Sequence, residues 1–147
     1  MNNLAKWYRY LGIAALLFSL SGCSNSISLF SEQAYQQDIT LKVESLALMN
    51  KADEPFKSHE KEVTELNKNL DEAYEYAKGR PENDITTLQW KIMISPDRHL
   101  LGGFLKRWKD KSSLSPFFIK EARDQVSRAF DTIIELESGK MKPGEVK

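Results

Sequence analysis

The chain has 147 residues, 29% of them charged, with 21 basic and 21 acidic side chains, two histidines and one cysteine. That balance excludes a global electrostatic attraction to nucleic acid. A single cysteine excludes an intramolecular disulfide and any cysteine-rich metal site, so the fold must hold without such staples.

The first 22 residues carry an export profile. Lys6 and Arg9 precede an apolar run over residues 11–20, and no acid occurs among them. That order of charge and hydropathy marks a signal segment to be cleaved. A spanning helix needs about 20 consecutive apolar residues, whereas Ser19, Ser21 and Gly22 cut this run short.

Leu20-Ser21-Gly22-Cys23 resembles the lipobox of bacterial lipoprotein precursors at all four positions. The resemblance implies a diacylglyceryl thioether on Cys23, cleavage between Gly22 and Cys23, and acylation of the new amino group. A thiolate is the nucleophile that such a transfer needs, and the small Ser21 and Gly22 suit a peptidase cleft. One acyl chain attaches only marginally, at roughly 0.8 kcal/mol per buried methylene, while two or three make the anchor durable. Ser24 stands where enterobacterial-type sorting reads an aspartate as a retention signal. By analogy this favours the outer membrane, facing the periplasm.

Removing residues 1–22 leaves 125, enough for one domain, and the loss of Lys6 and Arg9 leaves 19 basic against 21 acidic residues. Residues 23–31 read as the lipidated cysteine and a short tether, 32–139 as a helical domain, and 140–147 as a flexible tail. Ser31 is the expected first cap, because its hydroxyl can accept from a first-turn amide. Tyr35, Ile39, Val43, Leu46 and Met49 then recur at helical spacing, which predicts a helix over 32–51 with these residues as its apolar face.

Pro55 suits a first helical turn, with Asp53 or Glu54 as cap. Phe56, His59, Val63, Leu66, Leu70, Ala73 and Ala77 step alternately by three and four, a strict heptad seam over 55–78. Gly79 and Pro81 end it. Residues 85–95 carry both a strand-like alternation (Leu88, Trp90, Ile92, Ile94) and a helical one (Ile85, Leu88, Ile92). No second strand-like run exists to pair with them, and an unpaired buried strand would orphan its backbone groups. A short helix is therefore predicted.

After Pro96, Leu101, Phe104, Leu105 and Trp108 mark one face of another helix. Ser115-Pro116 then opens the last, whose inner stripe is Ile119, Ala122, Val126, Ala129, Phe130, Ile133 and Leu136 or Glu137, ending at Gly139. The fold class is all-α: an irregular up-and-down bundle of about five helices behind a cleaved signal peptide. Short loops between long helices make neighbours antiparallel.

Few residues point to chemistry. His59 lies on the heptad seam beside Glu60 and Glu62 without the second histidine that a zinc helix requires, so a structural or partner-facing role is expected. His99, next to Asp97 and Arg98, reads as a surface residue. The acidic pairs along the helices read as solvated faces. Residues 102–111 are the most suggestive feature, because Lys106, Arg107, Lys109 and Lys111 crowd around an aromatic stripe containing Trp108. Such a helix can rest on anionic head groups or dock a partner. The preferred alternative makes the stripe core, with the long cations reaching solvent. Gly102 and Gly103 read as a close-packing or helix-start feature.

No catalytic set, metal or cofactor is expected from these residues. The leading expectation is a non-enzymatic interaction module, anchored by Cys23 and facing an envelope protein, of the accessory or immunity and exclusion type. The alternative is a lipid or small-ligand binder, using Lys106, Arg107 and Lys109 on anionic groups.

Overall fold

A computed structural model describes residues 28–146. The signal segment, the Cys23 site and the start of the tether lie outside the described residues. Five α-helices follow in order: α1 (Glu32–Met49), α2 (Phe56–Gly79), α3 (Asp84–Ile94), α4 (Leu101–Lys111) and α5 (Pro116–Glu137). There is no strand among the described residues, so the segment with two periodicities is the helix α3.

The local sequence explains most boundaries. Ser31 Oγ accepts from the Ala34 amide at 3.3 Å and caps α1. Ser115 does the same for the Phe118 amide at 3.3 Å, with Pro116 in the first turn of α5. The cap expected from Asp53 or Glu54 does not form: Pro55 takes the N-cap position of α2 without a side-chain bond. The Glu54 carboxylate turns to His59 instead.

The helices form a four-column bundle. α1 packs between α2 and α5, and α3 packs against the same two neighbours from the other side. α4 packs on α2 and α3, so α3 and α4 together make up the fourth column, which is broken between them over residues 95–100. Two main-chain bonds tie the end of α4 to the α1–α2 loop: Phe56 N donates to Ser112 O and Leu114 N to Ala52 O, each at 2.7 Å.

The seam of α2 is buried at all seven positions, from Phe56 to Ala77. α5 buries the predicted stripe as well, Leu136 and Glu137 included, with Ala129 half-buried at its edge. In the middle lie Trp90 and Phe130, edge to face with centroids 5.8 Å apart. Burying a side chain of this kind contributes roughly 1.5–3 kcal/mol.

α1 departs from the sequence expectation. It buries Ala34, Asp38, Leu41, Ser45, Leu48 and Met49, whereas Tyr35, Ile39 and Leu46 are half-buried and Val43 is exposed. Lys42 reaches Asp131 at 2.5 Å, and Arg123 Nε donates to Leu46 O at 3.2 Å, which fixes this side of α1 against α5. Met141 N donates to Glu135 O at 3.1 Å, and Pro143–Glu145 form one 3-10 turn.

Candidate functional site

Gly102 and Gly103 set the geometry of the break in the fourth column. A Cβ on Gly102 would lie 2.1 Å from Ile94 O, and one on Gly103 would lie 1.7 Å from Arg98 O. Only glycine lets the start of α4 press against the preceding loop this closely. That turn carries Asp97, Arg98 and His99 into solvent beside the outer face of α4.

The outcome is an open groove of about 620 Å³ between α4 and the first turns of α5. Phe104 and Phe118 form its floor, their rings parallel within 2° and 6.0 Å apart. The Arg107 guanidinium lies 4.4 Å from the Phe118 ring centre, a cation–π distance. Arg98, Lys106 and Lys111 line the cationic rim, with Asp97, Asp110 and Glu121 among them. Lys106 bridges Asp110 at 2.6 Å, one helical turn on. That bond raises the lysine above its ordinary value and lowers the aspartate below its own. Arg98, Lys111 and Glu121 make no ion pair among the described residues. Phe117 stands at the mouth of the helix, 77% exposed.

The sequence-predicted contact residues therefore divide. Lys106, Arg107 and Lys111 line the groove, and His99 joins them from the loop. Lys109 lies toward α2, in a second groove of about 420 Å³ with Glu60 and Asp71. Trp108 is not a contact residue: it is completely buried, edge to face with Phe56 at 5.5 Å, and its indole N–H donates to Glu54 O at 3.0 Å. A heptad partner on α2 and a carbonyl in the α1–α2 loop claim both its face and its donor. The aromatic stripe is core, and the lysines flank it.

His59 sits beside Trp108, with ring centres 5.6 Å apart. Its Nδ1 lies 2.8 Å from Glu62 Oε1 and its Nε2 2.7 Å from Glu54 Oε2. Carboxylates only accept, so the network assigns a proton to both ring nitrogens. The bonds to Glu62 and then to Glu54 raise the histidine above its ordinary value, and the same bond to His59 lowers Glu62. Lys51 adds a contact to Glu62 at 2.5 Å. This cluster closes the α1–α2 corner and belongs to the fold.

A second polar cluster occupies the opposite end, and of its members the sequence pattern had marked only Glu137, beside Leu136 on the inner stripe of α5. Arg80, just past α2, pairs with the buried Glu137 at the end of α5. Asn83 donates from Nδ2 to Ala77 O at 2.9 Å and lies 3.5 Å from Glu137 Oε1. Asp38 of α1 faces the same charges, 2% exposed, with Oδ2 unpartnered among the described residues. Burial first, and then the Glu137 carboxylate, push its carboxyl up to about 8 against the opposing pull of Arg80. For Asp38 the one available signal was a pair of short polar residues, Asp38 and Ser45, seven apart on one helix face.

No serine, threonine or cysteine lines the α4–α5 groove among the described residues, and no cluster of three or more His, Cys, Asp or Glu is placed there to hold a metal ion. No described helix is long and apolar enough to cross a membrane. No protein-family model, curated protein or solved structure matches the chain.

Proposed function

We propose that this chain is a lipid-anchored envelope protein that binds another protein through the α4–α5 groove. The observation that carries the binding role is the groove itself: the half-buried Phe118, stacked on the buried Phe104, under a rim of both charge signs. Apolar floors with polar rims are how protein interfaces combine affinity with register. The lipobox supports the anchor at Cys23, and Ser24 supports placement in the outer membrane with the bundle in the periplasm.

Two measurements test this reading. A palmitate analogue supplied to growing cells is expected to label the wild-type chain and not Cys23→Ser; an unlabelled wild-type chain retaining Met1 overturns the anchor. A photo-crosslinking residue at Gln125, in the groove, is expected to give one discrete protein adduct that Arg107→Glu abolishes. The same residue at Lys61, on the outer face of α2, should give none. Equal adducts from both positions, or none from either, overturn the docking face, and an adduct to a lipid or small molecule instead favours ligand binding.

A further inference from the structure

The N-terminal end of the bundle is a built feature. Arg80 donates through one guanidinium nitrogen to Glu137 and through the other to the main-chain carbonyl of Leu29. Ser31 Oγ lies 3.1 Å from Tyr76 Oη, and the Phe30 and Tyr35 rings sit 5.9 Å apart. Residues 29–31 are thus gripped by their backbone and edges from α1, from α2 and from the corner after it. Despite this grip their apolar side chains stay largely in solvent: Leu29 is 91% exposed and Phe30, beside Tyr35, 60%. Isolated apolar residues on a surface need no explanation. Two adjacent ones, held out by an arginine that also neutralises a buried acid, form a fixed apolar prong.

The chain outside the described residues says what the prong meets. Leu29 follows Cys23 by six residues, so at most about 22 Å of backbone joins them. We infer that Leu29 and Phe30 enter the phospholipid leaflet in which the Cys23 acyl groups lie, so that the bundle stands on the N-terminal end of α1. This orientation rests on the acylation of Cys23 proposed above. The exposed charges at this end among the described residues, Lys78, Lys140 and Lys142 against Glu32, Glu75, Glu82, Asp84 and Glu145, offer no cationic excess. Contact is therefore by apolar insertion rather than by attraction to anionic head groups. α1 and α5 run most of the length of the bundle in opposite directions, and 18 residues of α1 span about 27 Å. The first turns of α5, and the groove they border, are lifted away from the membrane by that length.

The test uses the full chain, acylated in cells, with Leu29→Cys, Phe30→Cys or Ser113→Cys. A thioether at Cys23 leaves the introduced thiol as the free one. Each protein is labelled with a bimane fluorophore and reconstituted in phosphatidylethanolamine–phosphatidylglycerol vesicles containing doxyl-labelled lipid. Emission at positions 29 and 30 is expected to fall at least twofold, with position 113, beyond α4, unchanged. Acylated protein, verified by intact mass, whose labels at 29 and 30 are quenched no more than that at 113 overturns the orientation and leaves the anchor standing. Self-quenching between labels at 29 or 30 without lipid quenching also overturns it, by showing a second copy over the prong. An unmodified Cys23 overturns anchor and orientation together.

Discussion

Trp108 Nε1 donates to the main-chain carbonyl of Glu54 across 3.0 Å, so one indole fastens α4 to the loop between α1 and α2. Trp108→Phe keeps most of the ring and leaves that carbonyl without its donor, at an expected cost of about 1–3 kcal/mol. Trp108→Ala adds a cavity beside Phe56 and His59 and is expected to cost about 3–5 kcal/mol. Urea unfolding followed by far-ultraviolet circular dichroism measures both. A Phe variant as damaging as the Ala variant would show that the ring's N–H, and not its bulk, dominates.

The His59 cluster sets a pH window. Glu62 and Glu54 raise the folded-state value of the histidine, so its contribution is fully present below the ordinary value of about 6.5 and is lost as pH rises through the raised one. Glu62 is lowered by His59 and Lys51, so its contribution is present above about 4.3 and is lost as pH falls through the lowered value. The stability difference between wild type and His59→Gln is therefore expected to peak between about pH 4.3 and 6.5. A difference that stays constant from pH 4 to 9 would exclude this linkage.

Asp38 acts in the opposite sense to an ordinary surface carboxylate. Its folded-state value of about 8 means that the native chain holds a proton which the unfolded chain has released. Stability from this group is full below about pH 3.9 and falls by up to ~1.4 kcal/mol per pH unit until about pH 8. Asp38→Asn removes the titration at nearly constant shape. The variant is expected to lose that slope and to unfold at higher urea than wild type at pH 8.5. A wild-type stability that rises from pH 5 to 8 would contradict this assignment.

Two glycines in helices should respond oppositely to alanine. Gly103→Ala forces a Cβ into Arg98 O, a main-chain atom that cannot swing aside, and is expected to cost at least about 1–3 kcal/mol. Gly79→Ala, at the end of α2, meets nothing within 4 Å and should gain up to about 1 kcal/mol from helix propensity. Melting temperatures of the two variants separate these outcomes, and equal shifts would mean that the break after α3 relaxes freely.

α2 was readable from its own letters because every buried position of its seam from Phe56 to Ala77 carries an apolar residue or the histidine that two carboxylates satisfy. α1 was not. Its inner face carries Ala34, Asp38 and Ser45, while Tyr35, Ile39 and Val43 lie on the flank and outside, so the two faces hardly differ in hydropathy. Asp38 is buried facing a charge pair, Arg80 and Glu137, brought together from distant parts of the chain, and no local periodicity can report it. The groove was half legible for the same reason. Lys106, Arg107 and Lys111 stand together in the sequence, but their partners Arg98, Phe118 and Glu121 arrive through a loop turned by two glycines and through a separate helix. Trp108 was ambiguous in its own segment, because only Phe56 and Glu54, some fifty residues earlier, decide that it faces inward.

The grip of Arg80 on Leu29 has a mechanical meaning. Any pull on the chain from its N-terminal side reaches the corner after α2, and through Glu137 the last turn of α5, at the same moment as it reaches α1. Three helix ends therefore share a load that would otherwise fall on α1 alone.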